Sequence, residues 1–99
     1  MAVRAVRKAR GLPQEAFDQL SSRTYLSAIE RGIRQPTVRK VDEFAEVMNV
    51  HPLTILALSY KTEGESINSL LSKVFDELHE LSLIDHEPAP ALVVIQARS

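Results

Sequence analysis

Residues 23–37 read RTYLSAIERGIRQPT, and the architecture of the chain turns on them. Leu26 and Ile29 lie three apart on one side of a helix, while Arg23, Thr24 and Ser27 fall on the other. Ser21-Ser22, just before, offer hydroxyls to the free N–H groups of a helix start. Gly32, just after, takes the left-handed conformation in which helices end. Gln35-Pro36-Thr37 is a break followed by a new cap. The spacing therefore predicts a short helix over 23–31. An isolated helix of that length is marginal in water, so its neighbours must hold it.

Upstream, Ala16, Phe17 and Leu20 make an apolar stripe over 13–20, with Pro13 at the start, where its missing N–H costs little. Residues 2–10 place Val3 and Val6 on one face among arginines, and Gly11 supplies the stop. Downstream, Val41, Phe44, Ala45 and Met48 mark a fourth helix from Val38. After His51-Pro52, Leu53, Leu56, Ala57 and Tyr60 make a fifth. The expected fold is all-α, with five helices in a domain over 1–61. Residues 61–64 read as a hinge, with Thr62 and Glu65 as a capping box for the next helix. That sixth, amphipathic helix carries Ile67, Leu70, Leu71, Val74, Phe75, Leu78 and Leu81 in one stripe. Past Asp85, Glu87-Pro88-Ala89-Pro90 cannot continue a helix, and residues 91–95 read equally as a β-strand, from their composition, or as a disordered tail. Residues 62–99 thus form a second element of helix and tail.

Charge is distributed unevenly along the chain. Residues 1–40 hold nine Lys/Arg against three acids, a net of +6, whereas residues 41–99 hold three against ten, a net of −7. The basic half suits a polyanion, and the acidic half must serve another purpose. Around the first helix, Arg4, Arg7, Lys8 and Arg10 read as a solvated basic face that helps the electrostatics, with direct phosphate contact as the alternative. With 44% hydrophobic and 25% charged residues, the chain has the composition of a globular domain rather than a disordered one.

Several chemistries are not expected. The chain has no cysteine, which excludes disulfides and thiolate zinc sites and fits a reducing cytoplasm. His51, His79 and His86, with Glu80, Asp85 and Glu87 nearby, lack tight ligand spacing, so no metal is expected. No serine sits in a nucleophile elbow, and there is no glycine-rich phosphate cradle or paired-carboxylate site. Neither catalysis nor a cofactor is expected. No apolar run approaches the roughly 18 residues of a membrane span. The N-terminal MAVRAVRKAR has charge but no apolar stretch after it, so it is not read as a secretory signal.

Two short helices joined by a tight turn make a helix-turn-helix, which leaves one face of the second helix free for the major groove of DNA. Arg23, Thr24 and Ser27, near the start of that helix, suit base contacts. Arg can pair bidentately with guanine, and Thr offers a hydroxyl and a methyl. Tyr25 could give its hydroxyl to a phosphate while its ring packs.

VRKARGLPQEAF (6–17), RTYLSAIERGIRQPT (23–37) and VDEFAEVMNVHP (41–52) together resemble the lambda-repressor/Cro-like helix-turn-helix regulators, also called the xenobiotic-response-element family. The resemblance runs from Ala2 to about Tyr60. It implies a five-helix domain that binds operator DNA as a dimer, usually to repress. It also implies that Gln14 opens the second helix against the DNA backbone, and that Arg23, Thr24 and Ser27 begin the recognition helix. Arg34 and Lys40 fall where the following loop and helix approach phosphate; Arg34 is grouped with the base contacts, and Ser22 with Gln14, Tyr25 and Lys40 as backbone contacts. Glu30 reads as an internal partner for a neighbouring arginine, with Arg23 and Arg34 as candidates where they do not meet DNA. Pro13 departs from the Ser or Thr usual there, and the turn from Leu20 to Arg23 is shorter than the family pattern and lacks its glycine. The recognition helix is therefore expected to start later or to tilt.

The stripe from Ile67 to Leu81 either folds back on its own domain or forms a homodimer interface; a small domain has little core left to cover it, so the interface is expected. The alternative is an antitoxin-type module in which residues 65–99 grip a partner protein.

Overall fold

The computed structural model describes residues 2–85. The chain separates into two units, Met1–Tyr60 and Lys61–Ser99. The described residues are all-helical: α1 (Ala2–Ala9), a 3₁₀ turn (Gln14–Phe17), α2 (Arg23–Glu30), α3 (Val38–Met48) and α4 (Pro52–Tyr60) lie in the first unit, and α5 (Ile67–Glu80) in the second. The tail over 91–95, read as strand or disordered, lies outside the described residues, as do His86 and Glu87.

Every helical segment but α5 contributes to one core. Val3 and Val6 of α1, Phe17, Leu26 and Ile29 of α2, Val41, Phe44, Ala45 and Met48 of α3, and Ile55 of α4 form a single buried cluster. Phe17 meets Phe44 edge to face, with ring centroids 5.5 Å apart and planes at 76°. This arrangement suits the quadrupoles of the two rings.

The second predicted helix, 13–20, is only a 3₁₀ turn. Pro13 occupies its N-cap position and has no side-chain acceptor to start an α-helix. The bonds that form are short-range: Ala16 N–H to Pro13 O and Asp18 N–H to Glu15 O, both at 3.1 Å. The chain then folds back, with the N–H groups of Leu20 and Ser21 both donating to Phe17 O. Phe17, 1% exposed, pins the segment to the core.

This compact turn reaches α2 without the missing residues, so the helix starts at Arg23 and not later. Ser22 is its N-cap, its hydroxyl accepting from the Tyr25 N–H at 3.1 Å. At the other end Gly32, at φ +76°, donates to Ile29 O, while the Ile33 N–H donates to Ala28 O at 2.9 Å. This pair of bonds closes the helix in a left-handed cap. Thr37 caps α3 by accepting from the Lys40 N–H at 3.1 Å.

Two of the four cations expected on a solvated face are structural. Arg10 donates from Nε to Met48 O and from Nη2 to Asn49 O, both at 3.0 Å, and so binds the carbonyl end of α3. Arg7 is buried against Glu30 at the end of α2. Both arginines sit one turn past the apolar positions of α1, where their long stems can reach other elements.

In the second unit, Ser66 caps α5 by accepting from the Ser69 N–H at 3.0 Å. Thr62 and Glu65 do pair, the Thr62 N–H donating to Glu65 Oε1 at 3.2 Å, but they close the turn before the helix rather than its first turn. A hydroxyl nearer the apolar stripe takes the cap. No side chain of α5 is fully buried: Ile67, Leu70, Leu71, Phe75 and Leu78 are partly exposed, Val74 is 44% exposed, and Leu81, just beyond, 66%.

Candidate nucleic-acid interface

Burial of Leu26, Ala28, Ile29 and Glu30 turns one side of α2 into the core. The opposite side is left with Arg23, Thr24 and Arg31 exposed and Ser27 partly so. These positions recur at helical spacing and form one polar strip along the helix.

Beneath the strip is a buried ionic link. Arg7 Nε donates to Glu30 Oε2 at 2.6 Å and Arg7 Nη2 to Glu30 Oε1 at 3.0 Å, a bidentate pair in which the side chains are 11% and 4% exposed. The remaining Arg7 nitrogen donates to Leu12 O at 2.9 Å. Gln14 Nε2 donates to Glu30 Oε1 at 3.2 Å and reaches Ser27 Oγ at 3.5 Å. Burial pushes the Glu30 carboxyl up. The hydrogen bonds from Arg7 and Gln14, with the charges of Arg7 and Arg4, outweigh that and hold it below the usual carboxylate range. Glu30 thus stays ionised and fixes Arg7 and Gln14 at once. Arg4, Gln14, Ser27, Glu30 and Arg31 border one polar cleft at the edge of the strip.

The expected contact residues fall into two sets. Arg23, Thr24, Ser27 and Gln14 are brought together on or beside the outward face of α2, with Ser22 at its start. Arg34 lies in the loop after α2, exposed, its guanidinium 5.7 Å from the centroid of the half-buried Tyr25 ring. Lys40 stands differently: its ammonium already donates to Leu20 O and pairs with Glu43 at 3.1 Å. Arg23 is also engaged, by Asp18 at 2.9 Å and Glu15 at 3.5 Å. The same strip and cleft also hold Arg31, which the sequence reading did not single out, and Arg4, which it placed on a solvated basic face. Arg31 follows Ser27 by four residues, so its place on the same face was readable from spacing alone. Arg4 joins the cleft only through the packing of α1 on α2. The dimer candidates Ile67, Leu70, Leu71, Val74, Phe75 and Leu78 all lie on α5, and Leu81 caps its end.

Among the described residues, no group of three or more His, Asp or Glu could hold a metal ion, and no helix is long and apolar enough to cross a membrane.

No curated protein and no solved structure matches the chain significantly. The pattern of one family does, described as helix-turn-helix and aligned over residues 3–55. The match spans α1 to the middle of α4, takes in the whole buried core, and is centred on α2. The chain belongs to the helix-turn-helix family of lambda-repressor/Cro-like DNA-binding domains.

Proposed function

We propose that this protein is a sequence-specific regulator that reads the major groove of double-stranded DNA with α2, acts as a homodimer and represses transcription. The observation that carries the reading is the polar strip of α2. A helix held by the core along one side presents Arg23, Thr24, Ser27 and Arg31 on the other, and Arg4 and Arg34 flank it. In this reading Arg23, Thr24, Ser27 and Arg34 meet base edges, and phosphate contacts from Gln14, Ser22 and Tyr25 set the register. Arg4 and Arg31 join those phosphate contacts. Lys40 serves the backbone less than its position implies, because its ammonium is already engaged by Leu20 and Glu43.

A dimer suits this mode of reading. Two recognition helices read two half-sites roughly 34 Å apart, one turn of DNA, only when something outside the groove sets their spacing. The stripe on α5 (Ile67, Leu70, Leu71, Val74, Phe75, Leu78), continued by Leu81, is a continuous apolar surface that suits that role. The same stripe would serve an antitoxin-type partner protein, which is the second reading. Selection from a random duplex pool, followed by mobility shift at several salt concentrations, tests the DNA reading. A preferred duplex bound far more tightly than random sequence supports it, and equal, weak binding to every duplex defeats it.

A further inference from the structure

A guanidinium has five N–H donors on three edges, and the edge turned toward a base decides what it can read. Arg23 donates from Nε to Asp18 Oδ1 at 2.9 Å and from Nη2 to Asp18 Oδ2 at 3.4 Å, a side-on fork. Glu15 Oε1 lies 3.5 Å from the same Nη2 as an ion pair. The end-on edge, made by Nη1 and the outer hydrogen of Nη2, enters neither hydrogen bond to Asp18. Two parallel N–H groups of that kind match the O6 and N7 acceptors of guanine.

The backbone that carries the Asp18 carboxylate is fixed, although the carboxylate itself is about half exposed. Asp18 directly succeeds the 3₁₀ turn, its own N–H bonded to Glu15 O at 3.1 Å, and its neighbour Phe17 is 1% exposed. Arg23 would otherwise be a flexible cation at the first position of α2, where the helix dipole disfavours positive charge.

The geometry points to Asp18 as a positioning residue for base recognition: it grips the Nε–Nη2 edge of Arg23 so that the Nη1–Nη2 edge faces a guanine in the groove. The inference rests on the reading of α2 as the groove helix. Holding the side chain beforehand reduces the rotamer entropy lost on binding. The nearby charges of Asp18 and Glu15 also weaken the attraction of Arg23 to bare phosphate, which favours discrimination over indiscriminate affinity. The specificity that results is for a G·C pair at the step beneath Arg23.

The test uses the full chain and the duplex preferred in random selection. Wild type, Asp18→Asn, Arg23→Ala and the double variant are titrated at one salt concentration against that duplex, its single-base variants and a random duplex. Asp18→Asn is expected to lower the preference for one G·C pair about tenfold, with other positions unchanged and random duplexes bound as well or better. In the Arg23→Ala background the same substitution has no further effect on preference. Glu15→Gln, which removes an exposed ion pair but no hydrogen bond, alters preference by less than about twofold. Melting curves of each variant verify folding; both acids are at the surface, so the fold is expected to persist. If Asp18→Asn tightens binding to all duplexes alike and the G·C preference survives, Asp18 is only a countercharge and the proposal fails. If Arg23→Ala keeps every base preference, or selection yields no preferred duplex, the reading of α2 beneath it fails as well.

Discussion

Glu30 accepts hydrogen bonds from Arg7 and Gln14 with 4% of its side chain exposed, so removing the cation strands a buried charge. Arg7→Ala is expected to destabilise the domain by about 3–5 kcal/mol. Arg7→Met combined with Glu30→Leu should cost much less, because no charge is left unpaired. Chemical denaturation of the three proteins measures both. The same residue gives an acid-sensitive term. Its folded pKa lies below the ordinary 4.5, so the stability it supplies is complete above about pH 4.5 and is lost as the pH falls toward the folded value. Glu30→Gln should flatten that acid limb of a melting-temperature profile; an unchanged limb would assign it to other carboxylates. The sequence reading gave Glu30 a neighbouring arginine, Arg23 or Arg34, but Arg23 pairs with Asp18 and Glu15, Arg34 lies over Tyr25, and the partner is Arg7. Arg7 is 23 residues away, and the carbonyls that Arg10 binds are nearly forty away. Spacing along a helix says which side a residue faces and nothing about which distant element arrives there.

α2 shows what local chemistry decides for an element. Its start depends on one hydroxyl, and Ser22→Ala should cost about 1 kcal/mol, measurable by denaturation of the full chain. Its end requires a left-handed residue at φ +76°, so Gly32→Ala should cost about 1–2 kcal/mol. If either substitution were neutral, α2 would be held by its packing alone. The apolar spacing marked α1 and α3 well, because each keeps a regular buried face; on α4 it found the helix but not its inward side, since Leu53 and Tyr60 are 62% and 73% exposed and Ile55 is the residue that enters the core. The 3₁₀ turn was less legible. Ala16, Phe17 and Leu20 have helical spacing, yet without a cap at Pro13 only the bonds around Phe17 form. A stripe reports what will be buried, and the cap decides whether a full helix delivers it.

For the whole molecule, the two units predict separable behaviour. Light scattering of the full chain is expected to give a dimer, while Leu71→Asp or Phe75→Asp gives a monomer; a dimer that survives both would move the interface off α5. In the monomeric variants, binding to a single half-site should remain, and affinity for the full duplex should fall sharply as avidity is lost. Affinity of the wild type should fall steeply with salt, with a log–log slope close to the number of phosphates neutralised. The side chains proposed to read DNA form a separate set from those that hold the fold. Phe17, Leu26, Ile29 and Phe44 are at most 3% exposed, whereas Arg23, Thr24 and Arg31 project into solvent. In evolutionary terms the protein can be rewritten. On the proposed reading, a few substitutions on the outward strip of α2, with Asp18 adjusted to match, would give it a new address on the chromosome without a new fold. Duplicated copies of such a gene could therefore diverge in target long before they diverge in structure.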